Sequence, residues 1–168
     1  VSLPIILYTT LGTSLCVASA NIINQWIEAP YDAQMARTRT RNLVTHTIAP
    51  DHVFRVGVLC GLSGIGILSV FTNPVCTFLG GINILLYTLA YTPLKRISIV
   101  NTWVGAIVGA IPPMIGWSAC TGGSLDLGAW VLGALLYAWQ FPHFNSLSWN
   151  LRMDYSKAGY RMMAVTDP

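Results

Sequence analysis

The feature that most constrains this chain is its opening stretch, residues 1–23, in which no side chain carries a charge. Four further apolar runs follow, and each is near the roughly 20 residues that a helix needs to cross a bilayer. Backbone groups in lipid must hydrogen-bond within their own segment, so helices are the form expected at these lengths. Charged residues make up only 9% of the chain, against roughly 25% in an average soluble domain. The sequence therefore predicts an all-α fold, a multi-pass transmembrane helical bundle.

The apolar runs predict five membrane spans within a single domain that occupies residues 1–168. The predicted spans cover residues 3–26, 53–71, 75–91, 99–118 and 125–147. Tight turns at residues 72–74 and 121–124 would lie on one side. The loop 27–52, the link 92–98 and the segment after Ser148 would lie on the other. All nine Lys and Arg residues fall on or next to the second side, which supports the span count and assigns that side to a bacterial cytoplasm or a mitochondrial matrix.

The same distribution explains the net charge of +3, which therefore indicates topology and not a nucleic-acid partner. The four cysteines lie far apart in or beside apolar segments, so we expect packing residues and neither disulfides nor a metal site. Gly57 and Gly61, like Gly105 and Gly109, are four residues apart and predict close helix packing. The chain begins with Val1, and we expect it to be a fragment of a longer protein.

Three polar residues at intervals of four occur where the first predicted span ends: Asn24, Glu28 and Asp32. Asn24 and Glu28 would share one helix face. Pro30 would break or kink the helix near Ala29 and leave Asp32 just past the break. Glu28 would then lie at a helix C-terminus, where the macrodipole disfavours a negative charge and a compensating cation is needed. Mg²⁺ fits, because it binds one or two carboxylates together with the phosphate oxygens of a substrate.

Basic residues on the same predicted side complete this pattern. Arg37 and Arg41 are four apart and would face together in a helical loop, and guanidinium groups bind phosphate bidentately. Lys95 and Arg96 lie on the same predicted side. A metal–diphosphate complex requires acidic side chains that bind the metal and, beside them, basic side chains that bind the anion.

The charge pattern also has a simpler interpretation. Glu28 and Asp32 could pair with Arg37 and Arg39 on a solvated loop. The bases would then only set the topology, since loops that obey the positive-inside rule carry such clusters without any site. The helix-end position of Glu28 favours a site.

Polar residues also end the fifth predicted span, and polar groups at membrane depth are functional candidates. His143 could serve as a general base, as a haem ligand or as a hydrogen-bonded core residue. Asp154 could be a second metal carboxylate, or it could form a surface pair with Arg152 or Lys157. The residues alone leave these alternatives open.

Three long blocks of the sequence carry a family resemblance. They read NQWIEAPYDAQMARTRTRNL, YTPLKRISIVNTWVGAIVGAIPPMIGW and WQFPHFNSLSWNLRMDYSKAGYRMM. They resemble the UbiA-type intramembrane prenyltransferases, and within that family the branch that transfers a farnesyl group to haem. The NQxxExPxD form is more similar to mitochondrial members than to bacterial ones. Together with the hydrophobic framework, the resemblance covers nearly the whole chain.

The resemblance implies a bundle of about nine spans, of which this chain would hold about five, with further helices after Pro168. It implies Mg²⁺-assisted loss of diphosphate from farnesyl diphosphate, and capture of the farnesyl C1 by a vinyl group of haem b (protoheme IX). Water would complete the new side chain, which gives haem O for cytochrome oxidase. Mg²⁺ is then the implied cofactor, and haem b is a substrate.

The resemblance also implies roles for individual residues. Mg²⁺ would be held by Asn24, Glu28, Asp32 and Asp154. The diphosphate would be neutralised by Arg37, Arg41, Lys95 and Arg96. The reaction cavity would be lined by His143 and Tyr91, which complete the catalytic set. Ala158 occupies the position at which the wider family often has a second acid. A metal contact through Asp154 would therefore be weak or water-mediated.

The implied partners are the two substrates and the lipid bilayer, with no nucleic acid. A homo-oligomer or a complex with other enzymes of the haem A pathway is a further option. The implied location is the mitochondrial inner membrane, with the acidic and basic loops on the matrix side.

Two other functions stay open. Another UbiA-type transferase, acting on a quinone or chlorophyll precursor, would share the acidic motif but is not expected to carry WQFPHF or YTPLKRIS. A non-enzymatic multi-pass membrane protein, such as a transporter or an assembly subunit, would use its loop charges only to set topology. The residues alone do not identify haem as the acceptor.

Overall fold

A computed structural model describes residues 2–166, and every regular element in that range is helical. The elements in chain order are α1 (Leu3–Asp32), α2 (Pro50–Phe71), α3 (Pro74–Leu85), a π-helical segment (Leu86–Tyr91), α4 (Thr92–Ile97), α5 (Asn101–Cys120), α6 (Leu127–Asn150), α7 (Arg152–Lys157) and α8 (Met163–Thr166). The predicted all-α fold is confirmed.

Within this described range, four segments are long and apolar enough to cross a membrane: α1, α2, the continuous stretch Pro74–Ile97, and α5. They correspond to the first four predicted spans. The fifth predicted span corresponds to α6, which has 24 residues. α6 is long enough to cross a membrane, but it is less apolar than the other four segments and is not among the candidate spans. Gln140, His143 and Asn145 lower the hydropathy of its second half. The multi-pass helical character is confirmed, with four spans supported by both length and composition.

The predicted helix break at Pro30 is wrong. α1 continues through Pro30 to Asp32, and the amide of Ala33 still donates to the carbonyl oxygen of Ala29. A proline inside a helix removes one amide donor and crowds the carbonyl four residues earlier. Here it occupies the last turn of a long helix, so little of the helix lies beyond the lost hydrogen bond. Asp32 therefore continues the helix face that carries Glu28.

The predicted link at residues 92–98 is mostly helical. α3 passes through the π-helical segment directly into α4, so Lys95 and Arg96 lie in the last turn of a helix. Pro93 has no amide hydrogen, and its ring would crowd the preceding turn of a regular α-helix. The wider π-helical turn accommodates it, and such turns occur frequently at functional sites.

Close contact between α1 and α2 depends on small residues. Gly57, Gly61 and Gly64 are buried in α2 on the side that faces α1. A Cβ atom added to Gly64 would lie 2.8 Å from the carbonyl oxygen of Gly12. The predicted packing face at Gly57 and Gly61 is confirmed, and it extends one further turn to Gly64.

The second predicted glycine pair also lies at a packed surface. Gly105 packs against the rings of Tyr91 and Phe144, and Gly109 packs against the side chain of Gln140. α5 is therefore close to both the π-helical segment and α6. This packing brings the aromatic side chains of two elements together near the basic end of the bundle.

The two short turns meet at the other end of the bundle. Asn73 Nδ2 donates to the carbonyl oxygen of Ser118 at 3.0 Å, and Ser118 Oγ donates to Asn73 Oδ1 at 3.2 Å. Asn73 also caps the start of α3 by accepting from the amide of Cys76. The turns at residues 72–74 and 121–124 therefore lie on one side, as predicted.

The four cysteines are free. Cys16 and Cys76 are buried in the main core cluster beside Leu68 and Ile115. Cys120 is exposed, so the prediction of a packing role is wrong for that residue.

Candidate active site

One cavity at the C-terminal end of α1 collects most of the residues that the sequence singled out. Its volume is about 140 Å³. The π-helical segment, α4, α6 and the segment after α7 contribute to its walls. The lining residues are Asn24, Glu28, Asp32, Met35, Arg37, Arg41, Tyr91, Lys95, Phe144, Leu147, Tyr155, Tyr160 and Met162.

The polar series on α1 faces this cavity and is removed from solvent. Asn24 and Glu28 are each 7% exposed, and Asp32 is 2% exposed. Their spacing of four places them on one helix face, one turn apart. Burying two carboxylates is costly unless each is paired or hydrogen-bonded.

Each carboxylate is paired with a cation from a different part of the chain. Lys95 Nζ lies 2.9 Å from Glu28 Oε1, and Arg41 Nη1 lies 2.5 Å from Asp32 Oδ2. The simpler interpretation expected pairing with Arg37 and Arg39 on a solvated loop. That expectation is wrong, because the acids are buried and their partners are Lys95 and Arg41.

Asn24 is oriented by a hydrogen-bond chain that the sequence analysis did not identify. Asn24 Nδ2 donates to Thr92 Oγ1 at 3.0 Å, and Thr92 Oγ1 donates to the carbonyl oxygen of Tyr87 at 2.8 Å. The amide thus uses its nitrogen on Thr92. Its oxygen, the atom that a metal ion binds, is left for the cavity.

The loop that follows α1 is built from turns, so the helical loop that would have brought Arg37 and Arg41 together does not form. Thr38 is buried and its Oγ1 donates to the carbonyl oxygen of Asp32 at 2.8 Å, which folds the loop back over the end of α1. Arg37 and Arg41 both line the cavity. Arg39 is exposed and does not line it.

Tyr91 and Lys95 reach the cavity from the π-helical segment and α4. The ammonium nitrogen of Lys95 lies 4.5 Å from the centre of the Tyr91 ring, a distance at which a cation is attracted to an aromatic face. The Tyr91 ring in turn stacks on Phe144 of α6, with centroids 6.2 Å apart. The cationic side of the cavity is thus supported by aromatic packing.

Arg96 does not line this cavity. Its guanidinium carbon lies 4.1 Å from the centre of the Tyr31 ring, and Nη1 donates to Tyr31 Oη at 2.6 Å. Arg96 lines a neighbouring cavity of about 260 Å³, which shares Glu28 and Tyr160 with the first. The two cavities are therefore separated by a thin wall.

Two further predicted site residues, besides Arg96, lie outside this cavity. His143 is exposed in a shallow groove with Trp139 and Pro142, while its neighbour Phe144 lines the cavity. Asp154 is half-buried and does not line the cavity, whereas the adjacent Tyr155 does. The prediction that His143 lines this cavity is wrong. Consecutive residues of a helix point in directions about 100° apart, so Phe144 faces the cavity and His143 does not.

The alternative role of Asp154 as a surface pair also finds no contact in the described structure. Among residues 2–166, the ion pairs are those of Glu28 and Asp32. Arg152 instead places its guanidinium 4.5 Å above the Trp149 ring.

Tyr160 is a cavity residue that the sequence analysis missed. It is only 4% exposed, and its hydroxyl lies near the Glu28 carboxylate without a hydrogen bond of regular geometry. Burial raises the pKa of Tyr160 above its ordinary value of 10.0, and the nearby Glu28 and Asp32 carboxylates add to the rise. The hydroxyl therefore stays protonated and can act as a donor.

The donors at the cavity fit a hard divalent cation. Asn24, Glu28 and Asp32 offer an amide oxygen and two carboxylates, and Mg²⁺ needs only one or two carboxylates when substrate phosphate supplies further oxygens. In the part of the chain that the structure describes, no three His, Cys, Asp or Glu side chains come close enough to share a metal. The cavity thus suits a metal that arrives with an anionic substrate better than a permanent protein-only metal site.

Comparison with known proteins decides the family. The model of the UbiA prenyltransferase family matches residues 1–167. The chain belongs to the UbiA prenyltransferase family. The buried acids, the amide and the cations of the cavity all lie within the region that matches this UbiA model.

Curated relatives within the UbiA family are similar over nearly the whole chain. The chain is 56% identical over 165 residues to the human protein named "Protoheme IX farnesyltransferase, mitochondrial", a match that covers 98% of this chain and 37% of the relative. It is 51% identical over 168 residues to the protein of that name from Yarrowia lipolytica, covering 100% of this chain and 36% of the relative. The chain thus spans little more than a third of the length of these relatives. No solved structure matches it.

Proposed function

We propose that the protein transfers the farnesyl group of farnesyl diphosphate to a vinyl group of haem b and thereby makes haem O for cytochrome oxidase. The observation that carries this proposal is the pair of buried carboxylates, Glu28 and Asp32, each held by a cation in one cavity of a UbiA-family chain. The choice of donor and acceptor is supported by the names of the relatives, which are protoheme IX farnesyltransferases.

The cations of the cavity suit the departure of diphosphate. When the bond between farnesyl C1 and oxygen breaks, its electron pair leaves with the diphosphate, and negative charge grows there. Arg37, Arg41 and Lys95 line the cavity, and preplaced cations in a water-poor site stabilise such charge strongly. Arg96, bound to Tyr31, would act from the neighbouring cavity.

Asn24, Glu28 and Asp32 would hold Mg²⁺, with Asp154 as a further predicted ligand that has no contact with this cavity. The metal, when bound, would neutralise charge on the leaving diphosphate. The protein's own contribution is to keep these oxygens fixed: Thr92 orients the amide of Asn24, and the two cations restrain the carboxylates.

Apolar side chains would protect the cationic C1 of the farnesyl group. Phe144, Leu147 and Met162 line the cavity beside the polar residues, and a site that excludes water prevents early quenching of a reactive centre. A haem vinyl group would then form a bond to C1. Water would add its oxygen to the other vinyl carbon and release a proton, which completes the hydroxyethylfarnesyl side chain.

The two residues predicted to line the reaction cavity, Tyr91 and His143, differ in their position relative to it. Tyr91 lines the cavity through its ring, so a role beside the reacting carbon has geometric support. His143 faces another groove and stays a prediction from the resemblance alone. We further propose the mitochondrial inner membrane as the location, with the charged loops facing the matrix. A homo-oligomer or an assembly with other haem A pathway enzymes stays a prediction.

The test is a direct assay of the product. Membranes that contain the full-length protein are supplied with haem b, farnesyl diphosphate and Mg²⁺, and the extracted haems are analysed by mass spectrometry. We expect haem O, and none when Mg²⁺ is chelated. A farnesylated quinone precursor and no haem O would favour the other UbiA-type transferase. A full-length protein that gives no prenylated product would favour a non-enzymatic membrane protein.

A further inference from the structure

Tyr160 occupies an unusual position in the wall between the two cavities. Its side chain lines both the cavity of Glu28 and Asp32 and the neighbouring cavity of Arg96. The residue is 4% exposed, and its hydroxyl lies near the Glu28 carboxylate without a hydrogen bond of regular geometry. A buried hydroxyl normally has a partner, since leaving one unpaired costs folding free energy.

The backbone that carries Tyr160 is held firmly. Gly159 has a φ of 72°, in the left-handed region, and ends α7 in a Schellman motif. In this motif the amide of Gly159 donates to the carbonyl oxygen of Ser156 at 3.1 Å, and the amide of Tyr160 donates to that of Tyr155 at 2.9 Å. This is the usual way of satisfying the last carbonyls of a helix.

A second set of contacts ties the same segment to the cationic side of the cavity. The amide of Arg161 donates to the carbonyl oxygen of Lys95 at 2.7 Å, and Asn101 Nδ2 donates to the carbonyl oxygen of Arg161 at 3.1 Å. The Tyr160 ring packs edge-on against Tyr31 and Tyr155, with centroids 6.2 and 5.7 Å away. The hydroxyl therefore stays where it is because its ring and backbone are fixed.

The environment of this hydroxyl defines its ligand. Lys95 and Arg41 are already paired with carboxylates. The Tyr160 hydroxyl lies near the Glu28 carboxylate but makes no hydrogen bond of regular geometry, so it can donate to a ligand. The cavity is polar and carries three basic side chains, so the ligand that it suits is a polyanion. An oxygen of that anion would satisfy the donor, and hydrogen bonds to charged acceptors are stronger than those between neutral groups.

We propose that the Tyr160 hydroxyl donates a hydrogen bond to a diphosphate oxygen of the prenyl donor and is a substrate-binding residue of this site. The inference deepens the proposed function and rests on it for the identity of the prenyl donor. Its test can nevertheless be read with inorganic pyrophosphate alone, because that probe carries the same oxygens.

The experiment compares the purified full-length protein with Tyr160→Phe, which removes only the hydroxyl. Tyr137→Phe is the matched control, because Tyr137 lies in α6, packs on Phe141 and does not line either cavity. The thermal midpoint of each protein in detergent is measured with Mg²⁺, with and without inorganic pyrophosphate. A ligand that binds only the folded state stabilises it by an amount that grows with the logarithm of one plus the ratio of ligand concentration to Kd, so the rise in midpoint reports the affinity.

We expect Tyr160→Phe to keep or raise the midpoint of the ligand-free protein, because the hydroxyl makes no regular hydrogen bond there and its removal relieves the cost of burying it. We expect its pyrophosphate affinity and its kcat/KM for farnesyl diphosphate to fall by about tenfold. Tyr137→Phe should match the wild type in each measurement, and the KM for haem b should not change.

A Tyr160→Phe protein with wild-type pyrophosphate affinity would overturn the inference. So would a large drop in the midpoint of the ligand-free variant, since the hydroxyl would then be a structural donor. A wild-type protein that binds pyrophosphate through Tyr160 but makes no haem O would overturn the proposed function and leave this inference standing.

Discussion

The ammonium nitrogen of Lys95 lies 2.9 Å from Oε1 of Glu28, and this contact joins residues that are 67 positions apart in the chain. Both side chains are largely buried. Removing one partner of such a pair leaves an uncompensated charge, which is strongly unfavourable. The contact thus fixes α4 against α1 and sets the electrostatics of the candidate active site.

Neutralising either acid should abolish activity without preventing membrane insertion. Glu28→Gln and Asp32→Asn keep the size of each side chain but remove the carboxylate that would hold Mg²⁺. We expect a loss of at least about 100-fold in Mg²⁺-dependent farnesylation, measured as haem O formed per unit of inserted protein. Asp126→Asn is the matched control, because Asp126 is exposed beside the turn at residues 121–124. Normal turnover in either variant would rule out the metal assignment.

The three alternating arginines should differ in their effect. Arg37→Gln and Arg41→Gln remove cations that line the cavity, so we expect the KM for farnesyl diphosphate to rise by about tenfold or more. Arg39→Gln serves as the control, because Arg39 is exposed and lies outside the cavity lining. Steady-state kinetics with saturating haem b would measure this. Equal effects at all three positions would indicate a general loss of positive charge and contradict the geometry.

The hydroxyl of Thr92 should matter through Asn24. Thr92→Val keeps the shape of the side chain but removes the acceptor of the Asn24 amide hydrogen bond. Residues that orient a metal ligand typically change metal affinity by 10- to 100-fold, so we expect about tenfold more Mg²⁺ to be needed for half-maximal activity. Thr88→Val is the control, because the Thr88 hydroxyl donates only to the carbonyl oxygen of Ile84. An unchanged Mg²⁺ requirement in Thr92→Val would contradict this role.

The contact between α1 and α2 can be tested by two neighbouring glycines. A Cβ atom at Gly64 would approach the carbonyl oxygen of Gly12 to 2.8 Å, whereas one at Gly66 meets nothing within 4 Å. Gly64→Ala should therefore destabilise the protein by about 1–3 kcal/mol, and Gly66→Ala should leave its stability near that of the wild type. Thermal unfolding of both variants in the same detergent measures the difference. Similar midpoints would show that the two helices do not approach so closely.

The sequence predicted the parts of the site that follow a regular period. Asn24, Glu28 and Asp32 share a helix face because the repeat of four residues matches the helix. The same reasoning failed at Pro30, since a proline in the last turn of a long helix is tolerated. For the arginine loop, it placed Arg37 and Arg41 together but attributed this to a helix, whereas turns anchored by Thr38 bring them to the cavity.

Contacts between segments that are far apart in the chain could not be predicted from the spacing of residues along a single helix. Thr92 and Tyr160 act through partners or cavities far away along the chain, and neither lies in a pattern of charges. Gly159 before Tyr160 is the local signal that could have indicated a helix end there. His143 shows the converse limit: a polar residue beside a proline is conspicuous in the sequence, yet the helix presents its neighbour Phe144 to the cavity.

The two ion pairs have a consequence for the order in which ligands can bind. A divalent cation alone would have to displace Lys95 and Arg41 from Glu28 and Asp32, and an anion alone would have to draw these bases away from their acids. When the cation and the anion arrive together, each carboxylate gains the metal ion as its new partner and each base gains the diphosphate. We therefore expect reciprocal cooperativity between metal and diphosphate, so that the site discriminates against free cations and free phosphates in favour of the joint complex.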